Sequence, residues 1–369
     1  MCVAIGPISP SSVPMSNCSD PEEPPPPPRN QPLSSLVPSS TPQSDPSFPA
    51  KLNTFMPMNE DEGEGEPITV EGEMPQKRFY RSRAHCNPLS FNDSFEFPDR
   101  PESYDWTVSH YPKHPSLSKT PNGQTEDKVH SHIHPTVLDI GCGFGGLTVA
   151  LGTLLPDETI LGMEIRAKVC EYVRLRILAE RKQSNDATHN NTSVMRTNSM
   201  KFLPHWIRKG SLEKMFFCFP DPHFKVKNHK KRIVSSGLLS EYAYFLKPGG
   251  LIYCITDVKE LHEWHDSKLA RHRHFVKRSD AENEGDPCVA KMKVETEEGK
   301  KVARGESCTG ESEKYFCVYR KLSPEEIAPV SFAEEISKDL EERGVAEKEK
   351  EERIKANSIK QPKQKKQKN

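Results

Sequence analysis

One carboxylate stands where the sequence changes abruptly from apolar to basic. The apolar run 215–219 ends at Pro220, and Asp221 follows between Pro220 and Pro222. Because proline restricts its own backbone and that of the residue before it, we expect this carboxylate to be held in one position. A fixed acid at the end of a buried strand suits chemistry on a polar ring such as a nucleobase. The plainer alternative is a turn acid without chemistry, since Asp-Pro is common in turns.

A dense positive run follows this acid. Residues 222–232 contain five Lys or Arg and two His, and almost no acid balances them. Such runs are usually solvated faces, but this one follows a strand at the edge of the predicted sheet where ligands bind, and His223 and Phe224 offer planes on which bases can stack. We therefore predict an RNA-binding patch. Arg166 and Arg174, at the start of the helix predicted at 167–182, can widen it. Its predicted members are Lys168, His223, Lys225, Lys227, Lys230, Lys231 and Arg232.

A glycine loop and a second acid predict a nucleotide site. Gly141, Gly143 and Gly146 form G-x-G-x-x-G directly after a strand pattern and before a helix pattern. Glu164 ends the next strand pattern, 21 residues after Gly143. A carboxylate at that offset suits hydrogen bonds to ribose hydroxyls. The alternative is an ordinary glycine turn with an exposed Glu.

The type of nucleotide depends on a third acid. NAD and S-adenosylmethionine both use a ribose-binding acid, but a dinucleotide presents a pyrophosphate to the helix N-terminus. S-adenosylmethionine presents a sulfonium, beside which an acid such as Asp139 is useful. Asp139 either reaches the ligand or braces the loop. No residues elsewhere look arranged for hydride transfer, which favours S-adenosylmethionine.

These residues need a scaffold that brings them together, and the hydrophobic periodicity predicts one. Strands that alternate with helices indicate an α/β fold with a mostly parallel, doubly wound sheet. All the acids then follow the carboxyl ends of strands, where ligands bind in such sheets. An alternating last strand is predicted at 315–321 as an antiparallel edge, after a charged loop. The predicted parallel strands are 136–140, 159–165, 192–197, 214–219 and 251–257, and the predicted helices are 147–155, 167–182, 235–246 and one ending near 270.

Composition divides the chain into three segments. Fourteen of the 33 prolines lie in the first 50 residues, and residues 59–73 carry seven acids and no base. We predict a disordered tail at 1–76, a single folded domain at 77–322 and a charged, Lys-rich extension at 323–369. The Lys-rich end is either a nuclear localisation signal or a solvated end. The formal net charge of -1 hides a strongly basic local patch.

Cysteine and hydropathy patterns exclude several classes of protein. The ten cysteines are scattered singly without CxxC spacing, so we predict no metal site and a reducing compartment. His130, His132 and His134 alternate in a polar loop, which is poor support for a metal site. The N-terminus has no signal-peptide pattern, and no apolar run approaches the ~18–20 residues of a membrane span.

Several segments together resemble the tRNA (guanine-N7-)-methyltransferase family, and in detail its eukaryotic catalytic subunit. The resemblance covers about 78–322, and FPDPHFK is its most specific piece. The supporting segments are RSRAHCNP, YDW, LDIGCGFGG, ILGMEIR, RTNSMKFLP, MFFCFPDPHFK, LLSEYAY, ITDVKELHEW and ETEEGKKV. The stretch after GKKV departs from the Asn-Gly-Gly-like pattern expected there.

The resemblance implies a Rossmann-like class I enzyme that methylates N7 of a guanine in the variable loop of tRNA with S-adenosylmethionine. It also implies a WD-repeat propeller subunit as partner in a heterodimer, and we expect the protein in the nucleus and also in the cytoplasm. It assigns Asp221 as the active-site acid. The implied cofactor contacts are Gly141, Glu164, Arg166, Asn198, Ser199, Cys218, Thr296 and Glu298.

Three alternatives remain open from the sequence. A class I methyltransferase can act instead on cap guanine or on protein. A non-catalytic RNA-binding subunit can keep the same fold, although intact Gly141, Glu164 and Asp221 argue against it. An NAD oxidoreductase is the most distant of the three.

Overall fold

The computed structural model describes residues 72–82, 87–89, 95–118, 133–306, 313–327 and 344. The predicted tail at 1–76 therefore lies outside the described residues, apart from 72–76. The predicted extension at 323–369 also lies outside them, apart from 323–327 and 344. The three segment boundaries stay predictions.

Within the described residues, seven strands form one sheet in the order β3-β2-β1-β4-β5-β7-β6. The first five are parallel, β7 runs antiparallel to β5, and β6 runs antiparallel to β7. The fold is thus the predicted α/β class with a mostly parallel sheet. The strands are β1 (Val137–Ile140), β2 (Ile160–Glu164), β3 (Thr192–Arg196), β4 (Leu212–Cys218), β5 (Leu246–Thr256), β6 (Phe275–Lys277) and β7 (Tyr315–Lys321).

The long helices follow the strands in the alternating order that a doubly wound sheet requires. The helix predicted at 167–182 occupies Ala167–Gln183, and its buried face carries residues such as Val169, Val173 and Ile177. The helices are α1 (Trp106–Ser109), α2 (Gly146–Leu154), α3 (Ala167–Gln183), α4 (Ser199–Trp206), α5 (Ser236–Phe245), α6 (Lys259–Ala270), α7 (Asp280–Glu284), α8 (Pro287–Glu295) and α9 (Glu297–Ala303).

The end of the domain differs from the prediction in two respects. Strand β7 is antiparallel as predicted, but it is not an edge, because the short β6 pairs with its outer side. The predicted charged loop is also wrong, since residues 280–303 form α7, α8 and α9. Side-chain caps start these helices: Ser279 forms a capping box with Glu282, and Thr296 accepts a hydrogen bond from the backbone N–H of Gly299.

The strands bury side chains on both faces, as expected for a parallel sheet between helices. On one face Leu138, Met163 and Phe217 pack with Trp106 and Trp206 in the larger core cluster. Their strand neighbours point to the other face, where the rings of Phe216 and Tyr253 stack with centroids 4.4 Å apart. Parallel pairing brings the carboxyl ends of β1, β2, β3 and β4 to one edge of the sheet.

Candidate active site

One cavity at the carboxyl edge of the sheet brings most of the predicted site residues together. The space between these residues is about 910 Å³, a volume that includes open solvent at the mouth of the cavity. The predicted residues in its wall are Gly141, Glu164, Arg166, Asn198, Ser199, Cys218, Asp221, His223 and Lys231. The ends of β1, β2, β3 and β4 thus place the two halves of the predicted site against one space.

The glycine loop approaches the cavity with its backbone exposed. Gly141 has φ +72° and Gly143 has φ +54°, a region that disfavours residues with a Cβ. A Cβ added to Gly141 would meet no atom within 4 Å. The loop therefore leaves open space in which a ligand can lie against the backbone.

The acid at the end of β2 contacts this loop. Oε2 of Glu164 accepts a hydrogen bond from the backbone N–H of Gly143 over 3.1 Å. The same carboxylate accepts hydrogen bonds from the backbone and guanidinium of Arg166 at 2.9–3.1 Å. Glu164 is 3% exposed, so its carboxylate is oriented by four donors. A ribose hydroxyl must share these oxygens with Arg166 or displace its side chain.

The structure favours the bracing role for Asp139. Its side chain is 1% exposed and accepts a hydrogen bond from Oγ1 of Thr148 over 2.6 Å. Burial raises the pKa of this carboxyl to about 6, against the opposing effect of the Thr148 hydrogen bonds. Asp139 does not line the cavity. It connects β1 to α2 beneath the glycine loop.

Asn198 and Ser199 form another part of the cavity wall. Asn198 caps α4 by accepting a hydrogen bond from the backbone N–H of Met200. Its Nδ2 donates to the carbonyl oxygen of Pro88 over 2.7 Å, and Pro88 also lines the cavity. A segment that precedes β1 by almost 50 residues therefore completes the site, which no local sequence signal indicates.

Asp221 lies in a strained turn that directs its carboxylate. Phe219 and His223 both have left-handed backbones, with φ of 50° and 46°, which is uncommon for residues other than glycine. Oδ1 of Asp221 accepts a hydrogen bond from the backbone N–H of His223 over 3.2 Å. Oδ2 lies 3.6 Å from Nδ1 of the same histidine. The turn thus brings an acid and an imidazole to the wall of the cavity.

The basic run divides into outward-facing and inward-facing residues. Lys225, Lys227 and Lys230 are exposed, as phosphate binding requires, and Lys231 is half-buried in the cavity wall. Arg232 corrects the prediction of an RNA contact. It is 2% exposed and its guanidinium is hydrogen-bonded inside the protein, so it cannot reach a phosphate in this arrangement.

Of the four remaining predicted residues, one lines the cavity and three do not. Cys218 lines the cavity, but burial raises the pKa of its thiol well above the usual range, which argues against a nucleophile. Lys168 is half-buried near the start of α3. Thr296 caps α9, and the exposed Glu298 is paired with Lys301 over 2.8 Å. Neither Thr296 nor Glu298 lines the cavity, so their cofactor contacts stay predictions.

In the described part of the chain, no group of three or more His, Cys, Asp and Glu residues is arranged to hold a metal ion. None of the helices in that same part is both long and apolar enough to cross a membrane.

The sheet order, the glycine loop and the acid at the end of β2 define a Rossmann-like class I methyltransferase, as predicted. A family model described as "Putative methyltransferase" matches residues 133–309. The tRNA (guanine-N(7)-)-methyltransferase of Yarrowia lipolytica is 50% identical over 262 residues, covering 70% of this chain and 82% of that protein. Those of Oryza sativa subsp. indica and Candida glabrata are 47% and 46% identical, covering 72% and 71% of this chain and 98% and 88% of theirs. This chain belongs to the tRNA (guanine-N(7)-)-methyltransferase family.

Proposed function

We propose that this protein transfers a methyl group from S-adenosylmethionine to N7 of a guanine in the variable loop of tRNA. The observation that carries the proposal is that Asp221 lines the same cavity as Gly141 and Glu164. An acid suited to a base and a loop suited to a nucleoside thus border one space. The names of the relatives support tRNA as substrate and guanine N7 as the acceptor.

The residues of the cavity fit S-adenosylmethionine. The left-handed Gly141 leaves open space beside the backbone, Glu164 provides carboxylate oxygens for ribose hydroxyls, and Asn198 borders the same space. When bound, S-adenosylmethionine supplies a methyl group activated by a positive sulfur. The chain's own contribution is to hold the acceptor base beside that group.

Asp221 orients the base and stabilises charge. Guanine N7 has a free lone pair, so no general base is needed to remove a proton before attack. Positioning provides much of the acceleration. Methylation at N7 leaves the guanine cationic, and the Asp221 carboxylate stabilises the charge as it builds on the ring. The same oxygens can accept hydrogen bonds from the guanine edge, which selects guanine over adenine.

The exposed cations beyond Asp221 are proposed to hold the tRNA backbone. Lys225, Lys227 and Lys230 face solvent next to the cavity, and Phe224 is 58% exposed, so a base can stack on its ring. We further propose that the chain works as the catalytic subunit of a heterodimer with a WD-repeat propeller protein. The nucleus, with the cytoplasm as second compartment, is its proposed location.

The deciding experiment maps methylguanosine at base resolution in unmodified tRNA after incubation with the purified protein and S-adenosylmethionine, with and without the propeller partner. We expect N7-methylguanosine at one position of the variable loop. Capped RNA and protein substrates are assayed in parallel, and methylation of either in place of tRNA would overturn the proposal. Absence of S-adenosylmethionine binding by calorimetry would instead indicate a non-catalytic RNA-binding subunit.

A further inference from the structure

Arg232, the last cation of the basic run, lies in the interior of the protein. Lys225, Lys227 and Lys230 are exposed, whereas Arg232 is among the largest fully buried side chains. Burial of a guanidinium is unfavourable unless its donors are satisfied. The position of Arg232 within a phosphate-binding run therefore needs a structural explanation.

The contacts of Arg232 provide that explanation. Its Nε donates a hydrogen bond to the carbonyl oxygen of Pro222 over 2.9 Å, and its Nη2 donates to Oε1 of Glu260 over 3.1 Å. The guanidinium carbon lies 4.7 Å from the ring centroid of Trp264, in a cation–π contact. Because α6 supplies both Glu260 and Trp264, the arginine connects that helix to the turn beside Asp221.

Pro222 is the residue through which this connection acts. It lies between Asp221 and the left-handed His223, and as a proline it has no N–H to donate. Its carbonyl is therefore its only backbone hydrogen-bonding group, and this carbonyl accepts the hydrogen bond from Arg232. Strained turns persist only where the surrounding structure holds them. The Arg232–Pro222 hydrogen bond and the Asp221–His223 hydrogen bond both help to hold this turn.

We infer that Arg232 is a positioning residue that fixes the carboxylate of Asp221 in the cavity through the carbonyl of Pro222. This inference rests on the proposed function, because it assigns a role in the same methyl transfer. It contrasts with the role that the charge pattern suggests. A phosphate contact acts on tRNA affinity, whereas a positioning residue acts on turnover.

The test is a double-mutant cycle of Arg232→Met and Asp221→Ala, with kcat and the KM for tRNA measured at several salt concentrations. We expect Arg232→Met to lower kcat by about 10- to 100-fold, because displacement of a reacting group by about 1 Å has effects of that size. The KM for tRNA and its salt dependence should change little. In the Asp221→Ala background, Arg232→Met should cause no further loss of kcat. Independent, multiplicative losses would overturn the inference, as would a raised KM with a weaker salt dependence.

Arg181→Met is the matched control for loss of a buried guanidinium. Arg181 is 9% exposed and donates to the carbonyl oxygens of His189 and Thr192 over 3.0 Å and 2.6 Å, at the opposite edge of the sheet. This variant should lose thermal stability but keep the wild-type kcat. An equal loss of kcat in both arginine variants would assign Arg232 a merely structural role and overturn the inference.

Two milder variants provide the same test if Arg232→Met does not fold. Arg232→Lys keeps the charge but cannot reach Pro222 and Glu260 together, and Glu260→Gln weakens the anchor at an exposed position. We expect partial losses of kcat in both, again absent in the Asp221→Ala background. If the wild-type protein methylates tRNA but the two substitutions in each cycle lower kcat independently, the role of Arg232 is wrong and the proposed function stands. If the wild-type protein does not methylate tRNA, the proposed function fails first.

Discussion

The backbone N–H of Gly143 donates a hydrogen bond to Oε2 of Glu164 over 3.1 Å. Gly143 lies in the loop after β1 and Glu164 is the last residue of β2, and parallel pairing of the two strands brings them together. We expect Glu164→Ala to raise the Kd for S-adenosylmethionine by about 10- to 100-fold, as loss of hydrogen bonds to a charged group implies. Isothermal titration calorimetry measures this. Glu180→Ala, near the far end of α3, should leave the Kd within about twofold, and an unchanged Kd in Glu164→Ala would contradict a ribose-binding role.

Asp221 is expected to act on turnover and not on cofactor binding. Asp221→Asn removes the charge with little change of shape, and Asp221→Ala removes the acceptor as well. We expect both to lower kcat by about 10²–10³-fold, the range for loss of one electrostatic contact in a transition state. The Kd for S-adenosylmethionine should stay near that of the wild type. Near-wild-type turnover in Asp221→Ala would rule out the proposed role, and single-turnover methylation of unmodified tRNA measures it.

The exposed lysines should control the salt dependence of tRNA binding. Lys227→Met removes one predicted phosphate contact, so the slope of log K against log salt should fall in magnitude by about 1. Filter binding between low and moderate salt gives the slope. Lys113→Met is a suitable control, because Lys113 is also exposed but is paired with Asp186 over 2.7 Å, away from the cavity. Equal slopes for wild type and Lys227→Met would remove this lysine from the RNA interface.

Asp139 should make the protein less stable as the pH rises from about 4 to about 6. Burial raises the pKa of this carboxyl from 3.8 to about 6 on folding, so the folded state binds more protons than the unfolded state across this interval. Asp139→Asn cannot ionise and should remove the decline. The unfolding free energy of Asp139→Asn minus that of the wild type should therefore increase by on the order of 3 kcal/mol from pH 4 to pH 7.

Urea unfolding at pH 4, 5, 6 and 7 measures that difference. Asp99→Asn, at an exposed position, should show the wild-type pH dependence. A parallel pH dependence in wild type and Asp139→Asn would show that this carboxyl ionises alike in both states.

Gly146 is expected to be intolerant of a side chain for reasons of packing. A Cβ at this position would overlap the carbonyl oxygen of Glu295, the last residue of α8. We expect Gly146→Ala to lower the unfolding free energy by about 2 kcal/mol, as overpacking does, and to show a lower Tm by calorimetry. Gly237→Ala is the control, since its Cβ would meet no atom within 4 Å and alanine favours the helix. Similar Tm values for both variants would contradict the close approach.

Local signals predicted a large part of this fold. The five parallel strands, the glycine loop and the offset to Glu164 are encoded by periodicities and turn residues within about 30 residues of chain. The antiparallel direction of β7 was also predicted, but β6 has three residues, too few for an alternating pattern to be recognised. The helices α7 to α9 are short and rich in charge, so only their capping residues signal them.

The placement of individual side chains depended on the tertiary structure. Sequence alone determined the fold class, because it follows from the order of strand and helix patterns along the chain. It also determined the strand ends that carry Glu164 and Asp221 and the positive charge beyond them, because these follow from a few consecutive residues. It did not determine that Arg232 turns inward to Pro222, that Asn198 binds Pro88, or that Asp139 braces the loop. Each of these depends on which residues, distant along the chain, pack against one another, and a buried charge becomes stable only when that packing supplies its partners.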